Sequence, residues 1–256
     1  TQDSITSGAL SNTFKMVALA SLILGAFSFS LPKTPPCGND QKSFSLKSAL
    51  GWDALKLLRD QNFLLFFIAS VLICIPLAFY YQQANPFLVE LGMNNPTAKM
   101  AFGQVSEVLF MLLLPTFFIR FGFKKTILVG MMAWVVRYLL FAYGDVGEKA
   151  YMLIIGILLH GICYDFFFVS GQIYTDFKAG EKIKSAAQGL ITLATYGVGM
   201  LIGFWIAGKV SDAFLIQTGQ HDWDTIWKFP ALFALGIFLL FLLIFKNEKI
   251  NFQNKP

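Results

Sequence analysis

The sequence predicts an all-α membrane protein, a six-helix bundle preceded by one further transmembrane helix, and three observations predict it. The first is composition. Of 256 residues, 56% are AVILMFWYC and only 14% are DEKR, whereas an ordinary soluble domain is about 45–50% apolar, glycine included, and about 25% charged. Phe alone occurs 28 times. A soluble fold of this length cannot hide so much apolar surface, which excludes secreted disulfide scaffolds, disordered tails and nucleic-acid-binding modules. The second is a succession of apolar runs long enough to span a bilayer, which takes about 20 residues. The third is the placement of basic residues between those runs.

Six runs follow one another over 63–81, 102–119, 127–143, 151–169, 188–207 and 226–245. A seventh, over 13–31, carries only Lys15 and several serines as interruptions. It has no basic n-region and no small-residue cleavage pattern, so it is read as a spanning helix and not as a signal peptide. With Thr1 as its first residue, the chain is read as part of a longer protein.

Of the twenty Lys and Arg residues, fourteen fall in one set of loops (32–61, 120–125, 178–184 and the C-terminus) and four in the opposite set, Lys99, Lys149, Lys209 and Lys228. Basic loops stay cytoplasmic, so the 32–61 loop and the C-terminus are expected in the cytoplasm. The domain reading is therefore 1–31, the last helix of a preceding six-helix half; 32–61, a cytoplasmic central loop; 62–246, a six-helix bundle; and 247–256, a cytoplasmic tail. Pro32, Pro35 and Pro36 open the central loop, since proline lacks the N–H donor a helix needs. After Asp40, Leu46, Leu50 and Leu57 share a face, as in an interfacial helix or an ordinary connector. Six helices after a long loop is the layout of the second half of a twelve-helix transporter built from repeats. A membrane receptor is the alternative from another class.

Ionisable groups inside spans cost about 2.5–3.5 kcal/mol each on insertion scales and mark functional positions. Here they are Glu107, Arg137, His160 and Asp165. Glu107 shares a helix face with Gly103 and Gln104, a polar stripe that suits a substrate or proton site and is compatible with an ion pair to Arg137. Asp165 lies within Tyr164-Asp165-Phe166-Phe167-Phe168. A dry aromatic setting disfavours a charged carboxylate, which suits the group to take and release a proton, while the rings offer stacking surfaces. His160 is read as a hydrogen-bonded structural residue, since five residues separate it from Asp165 and the two do not share a face. Arg137, toward the outer third of its helix, is expected to pair and to snorkel along its stem. Tyr80, Tyr81, Gln82, Gln83 and Asn85 form an aromatic-polar patch where Pro76 and Pro86 are expected to interrupt the helix, as in segments that line binding cavities; an interfacial aromatic belt is the other reading. Gly199 and Gly203 form a GxxxG that lets helices approach. Cys37, Cys74 and Cys163 are read as free thiols, with no metal site and no cofactor. No GxGxxG, Walker, HExxH or GxSxG motif occurs, so an enzyme is not expected, and an ion gradient is the expected energy source.

Several stretches carry a resemblance. Gln104-Val105-Ser106-Glu107, Arg120-Phe121-Gly122, the run from Ala133-Trp134 through Arg137 to Tyr143-Gly144, Tyr164-Asp165-Phe166-Phe167, Ser185-Ala186-Ala187-Gln188-Gly189 and Asp222-Trp223-Asp224-Thr225-Ile226-Trp227 resemble the nucleoside:proton symporter family of the major facilitator superfamily, in order and spacing. The resemblance implies proton-driven nucleoside uptake by alternating access across a bacterial inner membrane. It implies substrate contacts at Gln104 and Glu107, and at Tyr164 and Asp165, with Asp165 tied to ribose binding or coupling. Where better-known members place a Gln and an Asn three apart in the preceding helix, this chain has Ala78 and Tyr81, with Gln82 and Gln83 beside them. The partners implied are a nucleoside, protons, the lipid bilayer and an N-terminal half of the same protein, without nucleic acid. A carrier of another small solute, such as a sugar or peptide, is the alternative within transport.

Overall fold

The computed structural model describes residues 9–33, 51–216 and 219–248. The chain divides into two units, Thr1–Ser43 and Phe44–Pro256. In the first, helix α1 (Ala9–Ser28) is about 30 Å long at 1.5 Å per residue, a bilayer core's thickness. The Ser28 and Ser30 hydroxyls donate to the carbonyls of Gly25 and Phe27 at its end. Residues 34–50, with Leu46 and Leu50 of the expected amphipathic helix, lie outside the described residues. The described chain resumes at Gly51 and soon forms a 3-10 helix, Ala54–Arg59.

Among the described residues, the second unit holds six long helices. The first, α2 (Gln61–Glu90), begins at Asp60, whose carboxylate accepts from the Phe63 amide at 2.9 Å, the usual N-cap bond. Helix continues without a break over Pro96–Tyr143 except at Gly122, with φ 77° and ψ 172°. Both ends of this stretch meet one residue: Gly103 packs on the His160 side chain and Arg137 bonds to its ring. A straight helix would hold residues 34 apart about 50 Å from one another. The chain therefore reverses at Gly122, in a conformation open to glycine alone, and gives α3 (96–121) and α4 (123–143).

The same argument applies at Gly180 (φ 63°, ψ 178°). Gln188 donates to the Gln172 carbonyl at 2.8 Å and to Asp176 at 2.7 Å, and Lys184 pairs with Asp176 at 2.9 Å. These bonds require the chain to fold back, giving α5 (150–179) and α6 (181–213). Helix α7 is Trp223–Ile244, capped by Asp222. Seven apolar spans thus become seven helices, and the helical stretches are long and apolar enough to cross a membrane. The protein is a multi-pass membrane protein. Two expected loops shrink to single glycines, because the polar residues around 120–126 and 170–187 continue the helices beyond the apolar runs.

Pro76 and Pro86 do not interrupt α2, contrary to expectation. Neighbouring helices can absorb the polar groups that a membrane proline frees. Separately, the Tyr138 hydroxyl of α4 donates to the carbonyl of Pro76 itself and ties α4 to α2 at this point.

Two aromatic clusters join the helices. One holds Phe87, Tyr138, Phe141, Trp223 and Trp227, from α2, α4 and α7. The other holds Phe63, Phe66, Phe123, Tyr174 and Phe245, from α2, α4, α5 and the end of α7. Small residues set the crossings. A Cβ on Gly199 would lie 2.8 Å from the Cys74 Cβ, and one on Gly203 would lie 2.7 Å from the Ala78 Cβ, so the GxxxG of α6 is the α2 contact surface.

Candidate substrate and proton site

Helices α3 and α5 cross at Ser106 and Gly161. The Gly161 amide donates to Ser106 Oγ at 3.0 Å, and that hydroxyl donates to the Gly103 carbonyl at 2.6 Å. This contact brings the residues beside it, Glu107 and His160, face to face. His160 Nε2 lies 2.7 Å from Glu107 Oε1. On its other side, His160 Nδ1 lies 2.8 Å from an Arg137 Nη1 of α4. Glu107 and Arg137 are thus joined as the sequence suggested, but through an imidazole and not directly.

Arg137 does not snorkel: it is 0% exposed. Its guanidinium carbon sits 3.5 Å from the centre of the Tyr80 ring, with Trp134 and Phe141 at 5.7 Å. Such cation–π contacts are worth about 2 kcal/mol or more when desolvated, and with the His160 bond they offset part of the cost of the buried charge, although Nε and Nη2 have no hydrogen-bond partner among the described residues. Tyr80 is accordingly buried, as is Gln83, whereas Tyr81 and Gln82 are exposed. The expected aromatic-polar patch is split by the helix turn: Tyr80 packs inward on Arg137, Tyr81 points away from the core, and Asn85 bonds to Thr97 at the start of α3.

Glu107 keeps 26% of its side chain exposed, and Gln104, one turn earlier, is exposed. Nearby rings form a continuous series. His160 contacts Tyr80 at 5.1 Å and Tyr164 at 5.9 Å, Tyr164 contacts Phe168 at 5.1 Å, and Phe168 contacts Tyr196 of α6 at 6.2 Å. The hydroxyls of Tyr164 and Tyr196 share a hydrogen bond. Partly open tyrosines beside a half-open carboxylate offer stacking faces and hydrogen-bonding edges together.

Asp165 differs in kind. It is fully buried, and neither carboxylate oxygen has a hydrogen-bond partner among the described residues. It opens a π-helical turn, Asp165–Val169, and a second such turn spans Leu193–Gly199 around Tyr196. π-turns inside α-helices are frequent at functional sites.

Two residues central to this geometry were undervalued in the sequence, His160 as a linker and Tyr196 as Tyr164's partner. The i,i+4 spacing of His160 and Tyr164, which puts them on one face, could have signalled the first. The glycines flanking Tyr196 were the available signal for the second.

Known proteins share this architecture. The profile of the family described as "Nucleoside H+ symporter" matches residues 6–250. The chain is 43% identical over 240 residues to the putative nucleoside transporter YegT of Escherichia coli (strain K12), covering 91% of this chain and 56% of that protein. It is 33% identical to the xanthosine permease of the same organism, covering 89% and 56%. Among solved structures, nucleoside transporter NupG superposes with a TM-score of 0.72, and an aspartate-to-alanine mutant of it with 0.76. Both are 30% identical and cover 90% of this chain and 59% of theirs. The chain spans a little over half the length of the relatives it matches. It belongs to the nucleoside H+ symporter family, with a helical fold of the major facilitator type.

Proposed function

We propose that the full-length protein containing this chain takes up nucleosides coupled to protons, by alternating access across a bacterial inner membrane. The observation that carries this reading is the pair of intramembrane carboxyls with opposite surroundings. Glu107 is half-open, ordered by His160 and next to Gln104. Asp165 is sealed and unpartnered among the described residues. An anion buried without a donor is costly, so Asp165 is the group suited to carry the coupling proton. Glu107, with a free oxygen beside the Tyr164–Tyr196 pair, is suited to accept hydrogen bonds from a ligand's hydroxyl or amine groups. Gln104, Tyr81 and Gln82 stand on exposed faces as further contacts for a nucleoside. The rings of Tyr164 and Tyr196 offer stacking surfaces to its base. On this reading, 62–246 is the C-terminal six-helix half, 1–31 ends the N-terminal half, and 32–61 and the tail 247–256 are cytoplasmic. The N-terminal half supplies the rest of the cavity.

The test is uptake of labelled uridine by proteoliposomes holding the full-length protein, with and without an inward proton gradient, alongside counterflow. Accumulation that needs the gradient, with exchange that does not, supports the proposal. Binding without exchange would make the protein a receptor, and exchange of sugars or peptides but not uridine would make it another carrier.

A further inference from the structure

Helix α5 presents three rings on one face, His160, Tyr164 and Phe168, at i,i+4 spacing. Tyr164 sits between the other two, with ring centres 5.9 Å from His160 and 5.1 Å from Phe168. Tyr196 of α6 meets this row at two points. Its hydroxyl shares a hydrogen bond with the Tyr164 hydroxyl, and its ring stacks on Phe168 at 6.2 Å with 28° between the planes. Close packing does not by itself hold the Tyr196 ring. The residue is 44% exposed, and with Phe168 it lines a cavity of about 20 Å³ shared with Ser70, Gln188 and Thr195, room for about one water. Nor do two buried polar groups need each other here, since neither tyrosine is buried and water can satisfy an open hydroxyl. What the bond does is fix the direction of two rings.

We propose that Tyr196 is a positioning residue for nucleoside binding: it ties the Tyr164 hydroxyl to α6 and so holds the Tyr164 ring in one orientation, ready to stack on the base. This deepens the reading of Tyr164 as a substrate contact and rests on it. The tie is anchored in the backbone of both helices. Tyr164 immediately precedes the π-turn Asp165–Val169, and Tyr196 stands inside the π-turn Leu193–Gly199. The second turn is pinned on both sides of Tyr196. The Thr195 hydroxyl donates to the Ile191 carbonyl at 2.8 Å, and Gly199 seats against α2, where a Cβ would lie 2.8 Å from the Val71 carbonyl oxygen. A tyrosine free to rotate meets a base in many orientations, of which few stack. A ring ordered before the ligand arrives spares binding the cost of ordering it.

A double-mutant cycle separates positioning from packing and from direct contact with ligand. Uridine affinity of the purified full-length protein is measured for Tyr196→Phe, for Tyr164→Phe and for the two combined, with a thermal melt of each. Tyr196→Phe keeps the ring on Phe168 and loses only the hydroxyl bond. Its affinity should fall about threefold, the size expected for freeing one ordered side chain, while its melting temperature stays at the wild-type value. Tyr164→Phe should lose the same factor, and the double variant no more than either alone, because one bond is broken in all three. In a Tyr164→Ala background, Tyr196→Phe should change nothing further. Wild-type affinity in Tyr196→Phe would reduce Tyr196 to packing. Losses that multiply in the double variant, or that persist without the Tyr164 ring, would mean that the Tyr196 hydroxyl touches ligand on its own. Either result would overturn the proposal while wild-type binding stands. Wild-type protein that neither binds nor exchanges uridine would instead refute the proposed function itself.

Discussion

Gly161 and Ser106 touch so closely that a Cβ on residue 161 would lie 2.5 Å from the Ser106 carbonyl carbon. This one contact between α3 and α5 sets the distance between the side chains next to it, His160 and Glu107.

Substituting Gly161→Ala should therefore act at the site from behind it. Forcing a methyl into a packed crossing costs about 1–3 kcal/mol, and relief by separating the helices moves His160 away from Glu107. Uridine affinity should fall about tenfold and the detergent-solubilised protein should melt at a lower temperature. Wild-type affinity in Gly161→Ala would show that the crossing does not govern the site.

Tyr164 is both a stacking face and the hydroxyl partner of Tyr196. Tyr164→Ala should weaken nucleoside binding by about 1 kcal/mol or more, a factor of about five. Tyr164→Phe keeps the ring and loses only the hydroxyl bond, so its loss should be smaller. Unchanged affinity in Tyr164→Ala would place the ring in the helix interface alone.

Glu107 and Asp165 should fail differently. Asp165→Asn is permanently neutral and fits a site that already lacks donors, so gradient-driven accumulation should collapse while exchange survives. Glu107→Gln removes the anionic acceptor and should lower affinity in both assays. If Glu107→Gln keeps exchange and loses accumulation, the roles are reversed. If both variants abolish exchange, Asp165 is itself a binding residue.

At the opposite end of the bundle, Lys178 of α5 reaches Asp60 and Glu248, each at 2.9 Å, and Asn62 donates to Glu248. Partial burial pushes the Asp60 carboxyl up, but the Phe63 amide and Lys178 more than offset it and hold it below the usual carboxylate range. A lowered value in the folded state means that the interaction stabilises the fold above the ordinary carboxylate pKa and is lost as pH falls through the lowered one. Asp60→Asn keeps a cap and loses the half-exposed ion pair, worth about 0–1 kcal/mol. Asp60→Ala loses the cap as well, at about 1 kcal/mol more. Thermal melts should rank wild type, Asn, then Ala, and the gap between wild type and Asn should close in acid. A gap that widens in acid would contradict the sign.

The cytoplasmic assignment of 32–61 is tested by a cysteine at Ser43. An impermeant thiol reagent should label it only after lysis, and labelling in intact cells would invert the topology.

The spans, the intramembrane carboxyls Glu107 and Asp165 and the GxxxG of α6 were all legible in the sequence, because each is a local property. Twenty apolar residues have one stable solution in lipid, a helix with its backbone bonds closed. An acid among them is costly wherever the helix sits, and small residues four apart make a groove on any helix. Other features were hidden because they depend on what a neighbouring helix supplies. Tyr138 of α4 is tied to α2 by a hydrogen bond to the Pro76 carbonyl, a partner 62 residues away in the chain. Arg137 abandons the interface because Tyr80 and His160 meet it inside the bundle. The π-turns at Asp165 and Leu193 left no mark on the residue pattern.

Sequence by itself determined that this chain lies in a membrane, with the seven apolar runs that become the long helices of the described residues, and that two of its acids are placed at a cost. Only tertiary structure decided that one acid lies against an imidazole that a buried arginine bonds while the other is sealed without a partner among the described residues. The reason is physical: the free energy of a buried charge depends on donors and rings contributed by residues far away along the chain, and only the crossing of α3, α4 and α5 brings them together.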